Sequence, residues 1–194
     1  AALRIYERGQ KYIFYFQPNA AEYVGKSPVE MIQDLAGDDV PKTVAIVHAD
    51  DFFANSIVIG LVGDKVEVEG SDRVVDLAPG VLAEAGMEIV FQQQWPEEGF
   101  SDWISLANSI KASNAEMVFG LTASPDETIQ LVRAMQTVDY NPKAVYLSQG
   151  TQEEFHEGVG DAANGIFIHA SWHPAVDWAG VLAGEPFSNL DFIA

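Results

Sequence analysis

Residues 41–53 read PKTVAIVHADDFF, and this stretch decides the fold. Thr43–Val47 is a near-continuous run of β-branched and apolar residues, the composition of a strand buried on both faces of a parallel sheet. Pro41 closes the segment before it, and Asp50 or Asp51 can cap a helix that begins at Phe52 and Phe53. The unit is strand, polar tip, helix. In open α/β sheets, ligands bind at such carboxyl-terminal strand tips.

The chain on either side repeats the unit. Downstream, Met87–Gln92, Met117–Leu121, Ala144–Leu147 and Ile166–His169 are short apolar runs, each long enough for a strand. Between them lie helices expected over Phe52–Leu61, from a Ser101 cap with Trp103, Leu106, Ala107 and Ile110 inward, and over Gln152–Glu157. Ser124-Pro125-Asp126-Glu127 is a cap, proline and acid signature that opens a helix carrying Ile129, Val132 and Met135 on one face. Upstream, Ser27-Pro28-Val29-Glu30 has the same form; Val29, Ile32 and Leu35 are expected on its inner face, with Gly37 as its stop. Strands alternating with helices predict an α/β fold with a doubly wound, mainly parallel five-stranded sheet in the order 2-1-3-4-5. Lys65–Val68 and Arg73–Leu77 break the rhythm and read as a surface hairpin inserted at about 62–78, and a short helix is expected after Pro79, ending at Gly86.

The ends carry partial elements. Ala2–Arg8 reads as the last turns of a helix stopped by Gly9, and Tyr12–Phe16 as an aromatic strand. After Trp172 the text turns rich in proline, glycine and aromatic residues and reads as a linker; Ser188 and Asp191 then form a capping box for a helix at the last residues. This pattern predicts one lobe of a larger protein.

Charge narrows the function. Asp and Glu number 29 against 10 Lys and Arg, a formal charge of −19. Such a surface repels nucleic acid and anionic lipid, and no apolar run approaches the roughly 18 residues of a membrane span. With no cysteine, thiolate metal sites, disulfides and cysteine nucleophiles are excluded. No nucleophile elbow, phosphate-binding loop or dinucleotide turn follows any strand, so neither catalysis nor a cofactor is expected. A phospho-acceptor reading needs an Asp after the third strand and a Lys after the fifth; Leu121–Thr122 and His169–Ala170 stand there instead. His48 and Asp50 lack a third ligand nearby, so no metal is expected.

What gathers at the carboxyl edge is of another kind. The strand ends offer Phe53, then Thr122, Ala123 and Ser124, then Gln149 and Gly150, then Trp172: hydroxyls, an amide, glycine backbone and aromatic rings. Donors to orient and rings to cover describe a pocket for a small organic molecule.

PKTVAIVHADDFF, GMEIVFQQQWPEEGFSDWISLANSIKAS, AEMVFGLTASPDETIQLVRAMQTVDYNPKAVYLSQGTQEEF and GIFIHASWHP together resemble the type I periplasmic solute-binding proteins, in particular the branched-chain amino acid receptors of ABC importers. The resemblance covers nearly the whole chain from about Tyr12, apart from the hairpin insertion. It implies a flavodoxin-like C-terminal lobe at 19–171, a crossover from an N-terminal lobe at 1–18 and a return linker at 172–194. It implies further a solute held between two lobes, an ABC transporter permease as partner, and an extracytoplasmic location in the periplasm or as a surface lipoprotein. A ligand-sensing domain of a regulator or receptor would use the same fold. By resemblance, the ligand contacts fall at Phe53, near Ala123–Ser124 and at Gln149. Phe53 stands where many relatives carry Tyr, and Gln149 where an acid meets the ammonium of an amino acid. A neutral amide does not pair with an ammonium as a carboxylate does, so a neutral, aromatic or carboxylate ligand fits at least as well.

Overall fold

The computed structural model describes residues 3–14, 19–171, 173, 175–177 and 179–193. In chain order its helices and strands are α1 (Leu3–Tyr6), α2 (Lys26–Ala36), β1 (Thr43–Ala49), α3 (Phe52–Val62), β2 (Lys65–Glu67), β3 (Val74–Asp76), α4 (Val81–Glu84) and β4 (Glu88–Trp95). They continue with α5 (Trp103–Ala112), β5 (Met117–Leu121), α6 (Pro125–Thr137), β6 (Ala144–Leu147), α7 (Glu153–Val159), β7 (Ile166–Ile168), β8 (Ala179–Leu182), β9 (Glu185–Ser188) and α8 (Asn189–Ile193).

β4, β1, β5, β6 and β7 lie side by side in that order and all run parallel, which is the expected 2-1-3-4-5 sheet. The apolar run of β1 is explained by its place. Ala45 and Val47 join a core with Leu106, Ile110, Leu131 and Leu147 on one face, whereas Val44 and Ile46 join Ile32, Ile57, Phe119 and Tyr146 on the other. Side chains alternate across a strand, so a strand with helices on both sides needs apolar residues at every position.

Caps and stops follow the sequence unevenly. Asp51 caps α3, its Oδ1 accepting from Ala54 N–H at 2.7 Å, and Gly63 closes the same helix in the left-handed region at φ 90°. Ser124 caps α6 with Pro125 in its first turn. Ser188 and Asp191 bond reciprocally, Ser188 N–H to Asp191 Oδ2 at 2.8 Å and Asp191 N–H to Ser188 Oγ at 3.2 Å. By contrast α2 starts at Lys26 behind Gly25, a turn of 3₁₀ helix over Ala21–Tyr23 having already set the chain helical, so Ser27 lies inside the first turn and caps nothing. Leu35 is exposed; Pro28, Val29 and Ile32 form the buried face of that helix. Asp102, not Ser101, stands before α5, with its carbonyl accepting from Leu106 N–H at 3.2 Å.

The hairpin is real and separate. β2 and β3 pair antiparallel outside the main sheet, yet Val66 and Val68 are buried, so it is seated rather than projecting. Its contacts run to the start of the chain: Arg8 Nη2 meets Glu69 at 2.9 Å and Arg73 pairs with Glu7. α1 is held in turn by Glu22, whose buried carboxylate accepts from Leu3 N–H at 3.0 Å and 3.1 Å. Glycine at position 60 permits this corner, because a Cβ there would lie 1.7 Å from the Glu22 carbonyl oxygen.

Two expectations about the ends are revised. Tyr12–Phe14 form no strand, and the remainder of the expected aromatic strand lies outside the described residues. The stretch read as a linker contains the antiparallel hairpin β8–β9, turning at Ala183 and Gly184, both with positive φ. That two-residue turn matches the twist of paired strands.

Candidate functional site

The carboxyl tips of β1, β5 and β6 stand next to one another, and the loops leaving them carry Phe53, Thr122–Ser124 and Gln149–Gly150. The order of the sheet reverses between β1 and β5, the position at which doubly wound folds open a crevice.

Asp51 ties this edge together. One carboxylate oxygen caps α3, and the other accepts from Ala123 N–H at 3.0 Å, so a single buried side chain joins the tip of β1 to the tip of β5. Ser148 does the same between β5 and β6: its Oγ accepts from Thr122 N–H and donates to the Thr122 carbonyl, both at 2.8 Å. The Thr122 hydroxyl donates a short hydrogen bond to Glu127 and accepts from Ser124 N–H at 3.0 Å. Sequence reasoning placed Asp51 as a possible cap and Ser148 as a strand end; it had no signal for either cross-strand bond.

These bonds sort the expected contacts. Thr122 is buried with its main-chain and side-chain groups engaged, and Ala123 N–H is taken by Asp51. Gly150 is buried at φ 138°, where a Cβ would press on Ile168 and Phe155 at 3.1–3.2 Å, so glycine there answers a packing demand. Ser124 Oγ accepts a long bond of 3.4 Å from Glu127 N–H, and its own O–H has no partner among the described residues. Gln149 is half-buried; its Oε1 accepts from Gln152 Nε2 at 3.4 Å, which turns its own NH₂ away from protein partners among the described residues. Phe53 is half-buried against the α3-side core, and Phe52 beside it is exposed with the Arg4 guanidinium 3.9 Å from its ring centre. Trp172 lies outside the described residues. The result is a shelf with free donors at Ser124 and Gln149 and a phenyl flank.

The neighbouring polar groups serve the frame. His48 is buried at the end of β1, with Nδ1 3.0 Å from the Ala49 carbonyl, and burial holds its pKa below the usual imidazole value against the upward pull of that carbonyl, Asp50 and Asp51. Asp50 Oδ1 accepts from Asn55 and from Gln94, each at 3.0 Å. Trp95 plugs the corner after β4, its ring stacked on Phe100 at 6.0 Å and edge-on to Trp103 at 5.3 Å.

Comparison with known proteins gives a consistent picture. A family model described as "Periplasmic binding protein" matches residues 59–183. No curated protein matches the chain in sequence. Among solved structures, a leucine-binding protein from Thermotoga maritima superposes with a TM-score of 0.63 at 14% identity, over 91% of this chain and 44% of that one. A leucine-, isoleucine-, valine-, threonine- and alanine-binding protein from Brucella ovis, in a closed conformation, gives 0.62 at 18% identity, over 86% and 37%. A solute-binding protein of an ABC transporter from R. palustris, in complex with 4-hydroxybenzoate, gives 0.50 at 16% identity, over 73% and 34%. At these identities the likeness is one of fold. The chain spans less than half the length of each of these structures.

Proposed function

The chain belongs to the periplasmic binding protein family, and we propose that it forms one ligand-binding lobe, over about 19–171, of an extracytoplasmic solute receptor that serves an ABC importer. A second lobe faces the carboxyl edge and closes over the solute, and a permease receives the solute from the closed pair. The lobe itself performs no chemistry: its free groups at the edge are hydroxyl, amide and aromatic, which orient a molecule without attacking it.

One observation carries the choice of ligand. The free polar groups on the shelf are the Ser124 O–H and the Gln149 NH₂, both donors, beside the ring of Phe53. Donors suit a carboxylate or carbonyl, and the ring suits a flat apolar body. An organic acid with an aromatic or apolar body is therefore preferred to an amino acid whose ammonium faces this lobe. The 4-hydroxybenzoate held by one structural neighbour is a compound of that class.

The test is calorimetry of the complete two-lobe receptor against small carboxylates and amino acids. Gln149→Ala and Phe53→Ala should each weaken carboxylate binding at least tenfold, about 1.4 kcal/mol, and Arg73→Ala in the hairpin should leave it unchanged. Gln149→Glu should shift preference toward ligands that carry an ammonium. The lobe alone, lacking half the contacts, should bind weakly. Equal affinity in the lobe and the receptor, or indifference to Gln149 and Phe53, would overturn the reading.

A further inference from the structure

We propose that the outer edge of β4 is a self-association surface, along which two copies of this chain pair antiparallel over Phe91–Trp95 and join their sheets into one. β4 is the terminal strand of the sheet, and among the described residues no strand pairs its outer side. Trp95 turns its carbonyl toward β1, where it accepts from Asp50 N–H at 2.7 Å. Main-chain groups alternate in direction along a strand, so Gln93 and Phe91 also face β1, and the N–H and C=O of Gln92 and Gln94 point outward.

An open edge of this kind is a template for another strand, and proteins commonly guard it with lysine, proline, inward charge or a bulge. Residues 89–95, IVFQQQW, contain neither charge nor proline. A bulge is present where the register with β1 shifts, between Ile89 and Phe91, and it leaves Phe91–Trp95 regular.

Charge selects a second copy as the occupant. Two molecules of formal charge −19 repel wherever acidic surfaces meet, and a neutral strand with unpaired main-chain groups is where they can approach. The segment is also complementary to itself. A two-fold axis through Gln93 places Phe91 opposite Trp95 of the second copy, an aromatic cross-strand pair, and Gln92 opposite Gln94, each such pair exchanging two main-chain hydrogen bonds. Glu88, Glu97 and Glu98 flank the paired segment at both ends, so their repulsion makes the association stronger as salt rises.

Sedimentation of the 194-residue chain at increasing concentration should show a monomer–dimer equilibrium that shifts toward dimer between about 0.01 M and about 1 M salt. The absence of cysteine permits a sharper test. Gln93→Cys places two thiols across the axis in a non-hydrogen-bonded pair with Cα atoms about 4.5 Å apart, within disulfide reach. It should therefore oxidise to a covalent dimer much faster than Gln130→Cys on the exposed side of α6. Gln92→Pro removes an outward N–H that β1 does not use and should abolish the dimer; Gln93→Glu, which keeps the fold's backbone bonds, should do so by setting two carboxylates face to face. A chain that stays monomeric at high salt overturns the proposal, as does a dimer that survives Gln93→Glu, or equal oxidation of the two cysteine variants. An edge reserved for a peptide of another protein gives the first of these results.

Discussion

Asp51 does two jobs with one carboxylate, and this sets what its loss would cost. Removing a helix cap costs roughly 0.5–2 kcal/mol, and leaving the Ala123 N–H without its acceptor adds about 1–3 kcal/mol. Asp51→Ala should therefore lower stability by about 2–4 kcal/mol in urea melts, and Asp51→Asn by less, since the amide oxygen can keep the cap. Equal losses for the two variants would show that the charge and not the geometry is what matters. His48 makes a second residue-level expectation. Burial lowers its pKa in the folded state, and burial lowers that of His169 in the same way. A histidine with a depressed folded pKa binds protons better when unfolded, so stability is fully present above the unfolded value of about 6.5 and is lost as pH falls from there toward the folded value. Thermal melts from pH 7.5 down to pH 5.5 should decline, and His48→Gln should flatten part of that slope; an unchanged slope would assign the effect to His169 alone.

Among the helices, α5 gives the clearest contrast of burial. Leu106 is fully buried in the core on the α5–α6 face, and Thr151 is exposed at the tip of β6. Leu106→Ala should cost about 2–5 kcal/mol and Thr151→Ala no more than roughly 0.5 kcal/mol, read as midpoints in denaturant. Matching losses would mean that the edge carries more of the fold than its exposure suggests. The same helix shows how far the sequence could be read. Its inner face at Leu106, Ala107 and Ile110 was legible because helical spacing and burial coincide there. Its start was not, because Ser101 and Asp102 are both good caps and only tertiary placement decides between them. Leu35 misled for a related reason: α2 packs on one side only, and its buried stripe passes through Pro28, Val29 and Ile32 without reaching that position. The parallel strands were legible because burial on both faces leaves an unbroken apolar run, whereas β8–β9 is exposed through Leu182 and carries a proline, so nothing in its composition demanded a strand. At the site, the sequence located the edge and its residue types. It could not tell that Thr122 and the Ala123 N–H are spent on Glu127, Ser148 and Asp51, because those bonds join residues up to 72 positions apart.

The molecule as a whole is dominated by one sign of charge, and that makes its response to salt predictable. Carboxylates outnumber cationic side chains 29 to 10, and the ion pairs of the described residues lie at the surface, with partners such as Lys65 and Asp76 or Lys26 and Glu30 more than half exposed. Surface pairs contribute about 0–1 kcal/mol each and weaken with salt. Repulsion among the unpaired acids acts over the whole surface and is screened as the Debye length falls from about 30 Å at 0.01 M to about 3 Å at 1 M. The two effects oppose each other, and the excess of acids decides the sign. Lys143 is the local exception, since Asp39 at 2.6 Å and Glu116 at 3.1 Å hold its ammonium above the ordinary lysine range and depend on low salt for part of that effect. Three charges cannot outweigh a formal imbalance of −19. Adding sodium chloride should therefore raise the urea midpoint of the chain, measured at protein concentrations low enough that β4 pairing does not contribute. Lys143→Met should lower the midpoint at low salt and increase the gain from added salt. A midpoint that falls with salt would place the balance in the ion pairs, and the reading of the acidic surface as self-repelling, on which the choice of a neutral strand for self-association also depends, would fail with it.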